Sequence, residues 1–379
     1  MRQGLVKSSS VAVTGFRRRF FSGVSDRQWS DWRWQLRHRL RNRADLERML
    51  VLSAAERSAL ERSGGGLPVA IPPYYAALMN PDDPLDPLRR TLVPVVGEWQ
   101  GGVGEAADPL HERRDTVVPG VIRRHPDRVV LLATGVCASY CRYCTRSRLV
   151  GGRERLTGHW EGALTYIAAH PEIRDVLISG GDPWMVSTRR LDHLLTRLRA
   201  IPHIELLRIG TRMPMVLPMR VTGKLVAMLR RYQPVVVSLH ATHPAELTPE
   251  AMQALARLAD AGIMLAAQTV LLAGINDSVA ILRELFQQLL CNRVRPYYLY
   301  QCDPIPGSAH LRVPVDAGIA LVERLSGEVS GLALPRYVID APGGGGKIPV
   351  GPVTWVGREP GRILLRNPHG QIFSYPDPP

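Results

Sequence analysis

Lysine is nearly missing from this 379-residue chain. Only Lys7, Lys224 and Lys347 occur, so 45 of its 48 basic residues are arginine. Arginine keeps its proton at any working pH, so an amine nucleophile can come from only three side chains. Cysteine is scarce as well, with five copies, three of them clustered between 137 and 144. That is no disulfide framework, and it suits a reducing cytoplasm in which thiolates can hold metal. No apolar run approaches the ~20 residues of a membrane span, which points away from a membrane protein. Acids are outnumbered, 34 to 48, and the formal net charge is +14. Such a balance invites a nucleic-acid partner. Against that, the arginines are scattered through helical stretches rather than gathered in one tract, and a general preference for arginine over lysine explains the excess. The opening GFRRRFF resembles a twin-arginine export signal, yet polar SGVSDRQWSDWRW follows where an apolar stretch is needed. A mitochondrial-type leader is the other targeting reading, since Asp26 is the first acid. An ordinary basic N-terminal arm, on a cytoplasmic protein, is the reading adopted.

What the chain does have is a repeat. From residue 129, apolar runs alternate with helical stretches: VVLLAT (129–134), DVLISG (175–180), LLRIGT (206–211), VVVSLH (235–240), MLAAQTVLL (264–272), YYLYQC (297–302) and RYVID (336–340). Their starts lie ~30 to ~45 residues apart, the period of a strand with its crossover helix. Near-continuous apolar strands predict a parallel sheet buried on both faces. The fold class is therefore α/β, a full or partial TIM-type barrel, with function gathered where strands end. Three cysteines follow the first run, SGGDPW (179–184) closes the second, GTR (210–212) the third and His240 the fourth. Asp303 follows the sixth run, and Asp340 with a glycine run follows the seventh. Residues 1–125 lack the repeat. The stretch 26–50, with Trp29, Trp32 and Trp34, is helical in pattern and predicts a helical N-terminal region packed on the barrel, its tryptophans in the core or in subunit contacts.

Cys137, Cys141 and Cys144 stand at C-x3-C-x2-C spacing with no fourth ligand nearby. Zinc needs that fourth ligand. The alternative is a [4Fe–4S] cluster with three irons held by protein and one open to a small molecule. Farther on, Lys347 follows four glycines in DAPGGGGKIPV (340–350). Glycines let backbone approach a ligand closely, and their amides can line an anion. A lysine desolvated there can form a Schiff base; a glycine-rich surface turn with a solvated lysine is the other reading of the same letters.

With Tyr143 before the last cysteine, the loop is similar to the signature of radical S-adenosylmethionine enzymes, and SGGDP (179–183) resembles their glycine-rich motif. The wider set of DRQWSDWRWQ, DPLHE, HPDRVVLL, CRYCTRSR, LISGGDP, RIGTR, QTVLLAGIND, RVRPYYLYQCD, APGGGGKIPV and LRNPHGQI resembles the lysine 2,3-aminomutase family over nearly the whole chain. The resemblance implies a partial (β/α)6 barrel over 126–345, a helical N-terminal region over 1–125 and a C-terminal segment over 346–379. It implies three cofactors: a [4Fe–4S] cluster on Cys137, Cys141 and Cys144, S-adenosyl-L-methionine, and pyridoxal 5′-phosphate on Lys347. Gly180, Gly181, Asp182 and Gln268 match S-adenosylmethionine contacts, and Arg124, Arg128 and Tyr300 match pyridoxal-phosphate contacts. Arg146 matches the clamp on the substrate carboxylate, while Asp303 and Asp340 match the acids that hold the substrate's distal ammonium. The implied reaction moves an amino group from C2 to C3 through a radical, with the cofactors supplying the hard chemistry.

Two acids facing an arginine clamp fit an amino acid with a cationic tail, and lysine, giving β-lysine, is the expectation. Arginine, giving β-arginine, is the alternative, because a guanidinium can pair with either acid. Departures from the family pattern keep it open: SLHATHP (238–244) puts Ala241 where phenylalanine is common, and His125, Gly135, Tyr143, PWM (183–185) and Ser278 also differ. They suggest a specialised enzyme making a β-amino acid for a secondary metabolite such as an antibiotic. The expected partners are the amino acid, a flavodoxin- or ferredoxin-like electron donor and further copies of the chain, with no nucleic acid and no membrane. A radical enzyme acting on nucleic acid is the rival from another class, and it predicts steeply salt-dependent binding and no pyridoxal chromophore.

Overall fold

A computed structural model describes residues 13–62, 66–152, 160–360 and 362–377. Each apolar run forms a strand close to where the repeat puts it: β3 (Arg128–Thr134), β4 (Asp175–Gly180), β5 (Leu206–Thr211), β6 (Val235–His240), β7 (Met264–Leu271), β8 (Arg295–Gln301) and β9 (Arg336–Ala341). These seven pair in parallel and in sequence order. Two short strands, β1 (Thr116–Val118) and β2 (Val121–His125), add antiparallel at one side, and β10 (Gly346–Pro349) adds antiparallel at the other. The result is a ten-stranded, mostly parallel sheet with β1 and β10 as its edges. The fold is thus α/β, a partial barrel of six βα units closed off by a seventh parallel strand. The sheet itself begins before residue 126 and runs beyond 345.

One helix of eight or more residues lies in each crossover: Glu161–Ala168, Thr188–Arg199, Gly223–Arg230, Pro249–Asp260, Val279–Cys291 and Val315–Glu328. Thr188–Arg199 shows why these segments coil. Ser187 caps its first turn, and Leu191, Leu194, Leu195 and Leu198, spaced to share one face, are all fully buried. Burying each such leucine is worth roughly 1.5–3 kcal/mol. The remaining faces carry exposed Arg189, Arg190 and Arg197, where arginine stems suit a solvated surface.

The stretch 26–50 is not one helix. Ser25, Asp31 and Asn42 each accept a backbone N–H and start separate short helices, Asp26–Trp29, Trp32–Arg37 and Arg43–Glu47. Side chains that cap a new turn compete with continuation of the old one. Trp29 and Trp34 are buried with ring centroids 5.9 Å apart, so they are core residues. This region docks on the barrel through polar bonds as well: the Tyr74 hydroxyl meets Thr248 Oγ1 at 2.5 Å, and the Tyr75 hydroxyl donates to Glu246 at 2.7 Å. At the other terminus, β11 (Trp355–Glu359), β12 (Arg362–Arg366) and β13 (Ile372–Pro376) form a separate antiparallel sheet. Among the described residues no helix is long and apolar enough to cross a membrane.

Candidate active site

Two cavities adjoin at the carboxyl ends of the parallel strands. The larger, about 300 Å³, is lined among others by Arg124, Arg128, Arg146, Gln268, Tyr300, Asp303, Asp340 and Lys347. The smaller, about 160 Å³, is lined by Cys137, Cys141, Cys144, Gly180, Gly181 and Asp182. Tyr143, Arg146, Ser179 and His240 belong to both walls. Every residue given a cofactor, metal or substrate role on the sequence therefore lines one of two adjoining cavities, although the residues are drawn from elements more than 200 positions apart.

The cysteine loop follows β3 and is held from two sides. Gly181 N–H donates to Thr134 O at 2.6 Å, and Asp182 N–H donates to Val136 O at 2.9 Å. The approach is so close that a Cβ on Gly181 would sit 2.5 Å from Val136 O. From the N-terminal region, Arg39 Nη1 donates to Cys137 O at 2.9 Å. Arg142 pairs with Glu98 through two N–H groups and donates to Leu67 O at 2.9 Å. Burial first, then the charge of neighbouring cysteines, pushes the Cys144 thiol up to about 12 and Cys137 well above its ordinary value. Among the described residues no three His, Cys, Asp or Glu side chains gather tightly enough for a single metal ion. Three half-buried thiols that share a cavity without closing on one ion position fit an iron–sulfur cluster better than zinc.

Asp182 lines the smaller cavity, with its carboxylate engaged by the protein. Its carboxylate accepts from Thr211 Oγ1 at 2.8 Å, from Arg212 N–H at 2.9 Å and from Trp184 N–H at 3.0 Å. It ties the end of β4 to the end of β5. Gln268 Nε2 lies 2.5 Å from His240 Nε2, and burial pushes that imidazole down to about 4, so the ring is neutral.

In the larger cavity the glycine run has a conformational purpose. Gly343, Gly344 and Gly346 have φ of 78°, 85° and 77°, which side-chain-bearing residues rarely adopt. They turn β9 back as β10 and set Lys347 directly opposite Asp340. Lys347 Nζ lies 3.0 Å from each Asp340 oxygen and 5.3 Å from the Tyr300 ring centroid. An amine on the wall of a cavity that also carries Arg124, Arg128 and Arg208 fits an aldehyde cofactor with a phosphate. Arg124 is held by Asp115 at 2.8 Å, whereas Arg128 is half exposed and paired with its neighbour Asp127.

Asp303 accepts from Thr145 Oγ1 at 2.5 Å. Burial, and behind it the charge of Asp340, pushes its carboxyl up to about 6 despite that hydrogen bond. Arg146 presents Nε and Nη2 to Glu112 at 3.0 and 2.8 Å, and Nη1 to Ser179 at 3.1 Å. Glu112 steadies the guanidinium and leaves N–H donors for a carboxylate in the cavity. Glu112 carried no assignment on sequence; it sits in DPLHE, and no spacing rule links it to a residue 34 positions later. Ala241 is buried and lines neither cavity, so its small side chain makes no room for a bulkier guanidinium.

Polar chemistry concentrated at the carboxyl ends of parallel strands marks the chain as an α/β-barrel enzyme. Sequence likeness narrows the class. A family model described as Lysine-2,3-aminomutase matches residues 322–379. An L-lysine 2,3-aminomutase of Fusobacterium nucleatum is 46% identical over 96% of this chain and 86% of its own length. One of Clostridium subterminale is 44% identical over 94% and 86%. A glutamate 2,3-aminomutase of Clostridioides difficile is 35% identical over 94% and 84%. This chain belongs to the lysine 2,3-aminomutase family and is an isomerase.

Proposed function

We propose that the enzyme moves the α-amino group of L-lysine to the β-carbon, giving β-lysine. The observation that carries this reading is the charge layout of one cavity, with Arg146 as a cation for a carboxylate and Asp303 and Asp340 as acids for a distal ammonium. Relatives 44–46% identical are L-lysine 2,3-aminomutases, which supports lysine over arginine. Ala241 lines neither cavity, so that departure from the family pattern lends arginine no support.

Under this reading Cys137, Cys141 and Cys144 would hold a [4Fe–4S] cluster, with S-adenosylmethionine beside Gly180 and Gly181. Together these supply a one-electron cleavage that starts radical chemistry. Lys347 would hold pyridoxal phosphate, which supplies an electrophilic carbon and a conjugated ring that spreads an unpaired electron. The chain's own work is placement. Glu112 fixes Arg146, which orients the substrate carboxylate. Thr145 fixes Asp303, and β9 fixes Asp340, so the distal ammonium is held at a set distance from that clamp. The wall shared by the two cavities would keep the substrate next to the cluster site. Lys347 must give up its proton to bind an aldehyde, and its ion pair with Asp340 has to part for that step. An electron donor completes the system, and a reducing cytoplasm suits the thiols.

Anaerobic incubation of reconstituted protein with lysine and with arginine in separate reactions, followed by product identification, tests the proposal. β-Lysine is the expected product. Turnover of arginine alone, or of neither, overturns it.

A further inference from the structure

Arg212 follows β5 and reaches into the cysteine loop. Its Nη1 lies 2.7 Å from Cys141 Sγ. Its Nη2 donates to Glu246 Oε1 at 2.7 Å and to the Tyr75 hydroxyl at 3.0 Å. The arginine side chain is 8% exposed and the glutamate fully buried. The rings of Tyr75 and Tyr143 lie 5.6 and 5.8 Å from the guanidinium carbon. Glu246 is itself fixed by the backbone N–H of Thr242 at 2.6 Å and by Tyr75 at 2.7 Å. A guanidinium is thus locked on one side by a buried carboxylate and aimed by its other edge at a sulfur.

A buried ion pair is weak evidence for stability, because desolvation offsets most of the Coulombic gain. This pair is also directional: its positive end touches the thiol, and its negative end lies one guanidinium farther away. Hydrogen bonds to cluster sulfurs and nearby charge are among the factors that set a cluster's reduction potential. We propose that Arg212, held by Glu246, is a positioning residue that tunes the cluster: its N–H on Cys141 favours the more negative, reduced state and raises the reduction potential. This rests on the cluster reading above.

The full chain is reconstituted anaerobically, its iron is counted, and the cluster potential is read by a redox titration monitored by electron paramagnetic resonance, without substrate. Arg212→Met is expected to shift the potential to a more negative value. Glu246→Gln leaves the guanidinium uncompensated and is expected to shift it the opposite way. A purely structural role would move both variants in one direction, because either change loosens the same pocket. Arg212→Met alone strands a buried carboxylate. If it fails to keep iron, the double variant R212M/E246Q, which removes both charges, takes its place and should lie below Glu246→Gln. Shifts of the same sign in both single variants, or a double variant level with Glu246→Gln, overturn the proposal. Unmodified protein that takes up no four-iron cluster overturns the cluster reading itself, and the iron count shows this before any potential is measured.

Discussion

Lys347 and Asp340 hold one another at 3.0 Å, and that contact changes how the acids should be tested. Asp340→Asn would remove a partner of the amine as well as, in the proposed function, of the substrate, whereas Asp303 is free of that double duty. Asp303→Asn is expected to lose a charge-assisted contact worth roughly 1.5–3 kcal/mol, about ten- to a hundredfold in kcat/KM for lysine, with pyridoxal loading unchanged. Its pH behaviour has a definite sign. Because the folded protein raises Asp303 to about 6, its contribution to stability is present at acid pH and is lost as pH rises through that value. A bound ammonium favours the ionised form, so lysine should bind more weakly below about pH 6, with proton release on binding. Calorimetry in buffers of different ionisation enthalpy checks this, and the effect should vanish in Asp303→Asn. Lys347 is tested by borohydride reduction in the presence of pyridoxal phosphate and peptide mapping. The label should fall there rather than on Lys7 or Lys224, and Lys347→Arg should take none. At this scale the sequence was informative where residues are rare. Three lysines and five cysteines stand out, while Arg212 is one arginine among 45 and its burial leaves no mark in the letters.

Strand positions were readable because an apolar run bounded by turn residues has one good use in a buried parallel sheet, and β4 and β5 form over the same residues as their runs. The helical pattern of 26–50 was readable but its division into three short helices was not, for a local reason: Ser25, Asp31 and Asn42 are stronger as caps than as interior residues. Packing between elements was not readable at all. The closeness of Gly181 to Val136 comes from the pairing of β3 with β4, which the motif SGGDP does not encode by itself. That closeness gives a test. Gly181→Ala places a methyl 2.5 Å from Val136 O and 2.7 Å from its carbonyl carbon. The cysteine loop must move, at a cost of about 1–3 kcal/mol. Reconstituted iron should drop while far-ultraviolet circular dichroism stays near that of the unmodified protein.

Over the whole molecule, the charge of +14 conceals a division of labour among the arginines. Arg174 and Glu205, both mostly exposed, make the kind of pair that contributes little. Arg142 and Glu98 are different: side-chain exposures of 2% and 9% bury them between the N-terminal region and the cysteine loop. Glu98→Gln leaves the guanidinium without its counter-charge and should lower stability by about 3–5 kcal/mol. Thermal melts should show the loss, and the cluster site should take up less iron, since the loop is anchored there. The helical character of the N-terminal region was visible in its sequence. Its grip on the loop was not, because arginines that hold a loop and arginines that face water have the same letter.

The hairpin of β9 and β10 has an evolutionary consequence. Asp340 and Lys347 are cross-strand neighbours, so their separation is a constant of β-sheet geometry rather than of a loop's conformation. Under the proposed function, a replacement at 340 can alter which amino acid is accepted while the backbone position of Lys347 stays where it is. A slip of β10 by one residue against β9 would turn Lys347 to the opposite face from Asp340. Descent with new substrate preferences is therefore open to single substitutions on β9, and closed to insertions or deletions anywhere in the hairpin.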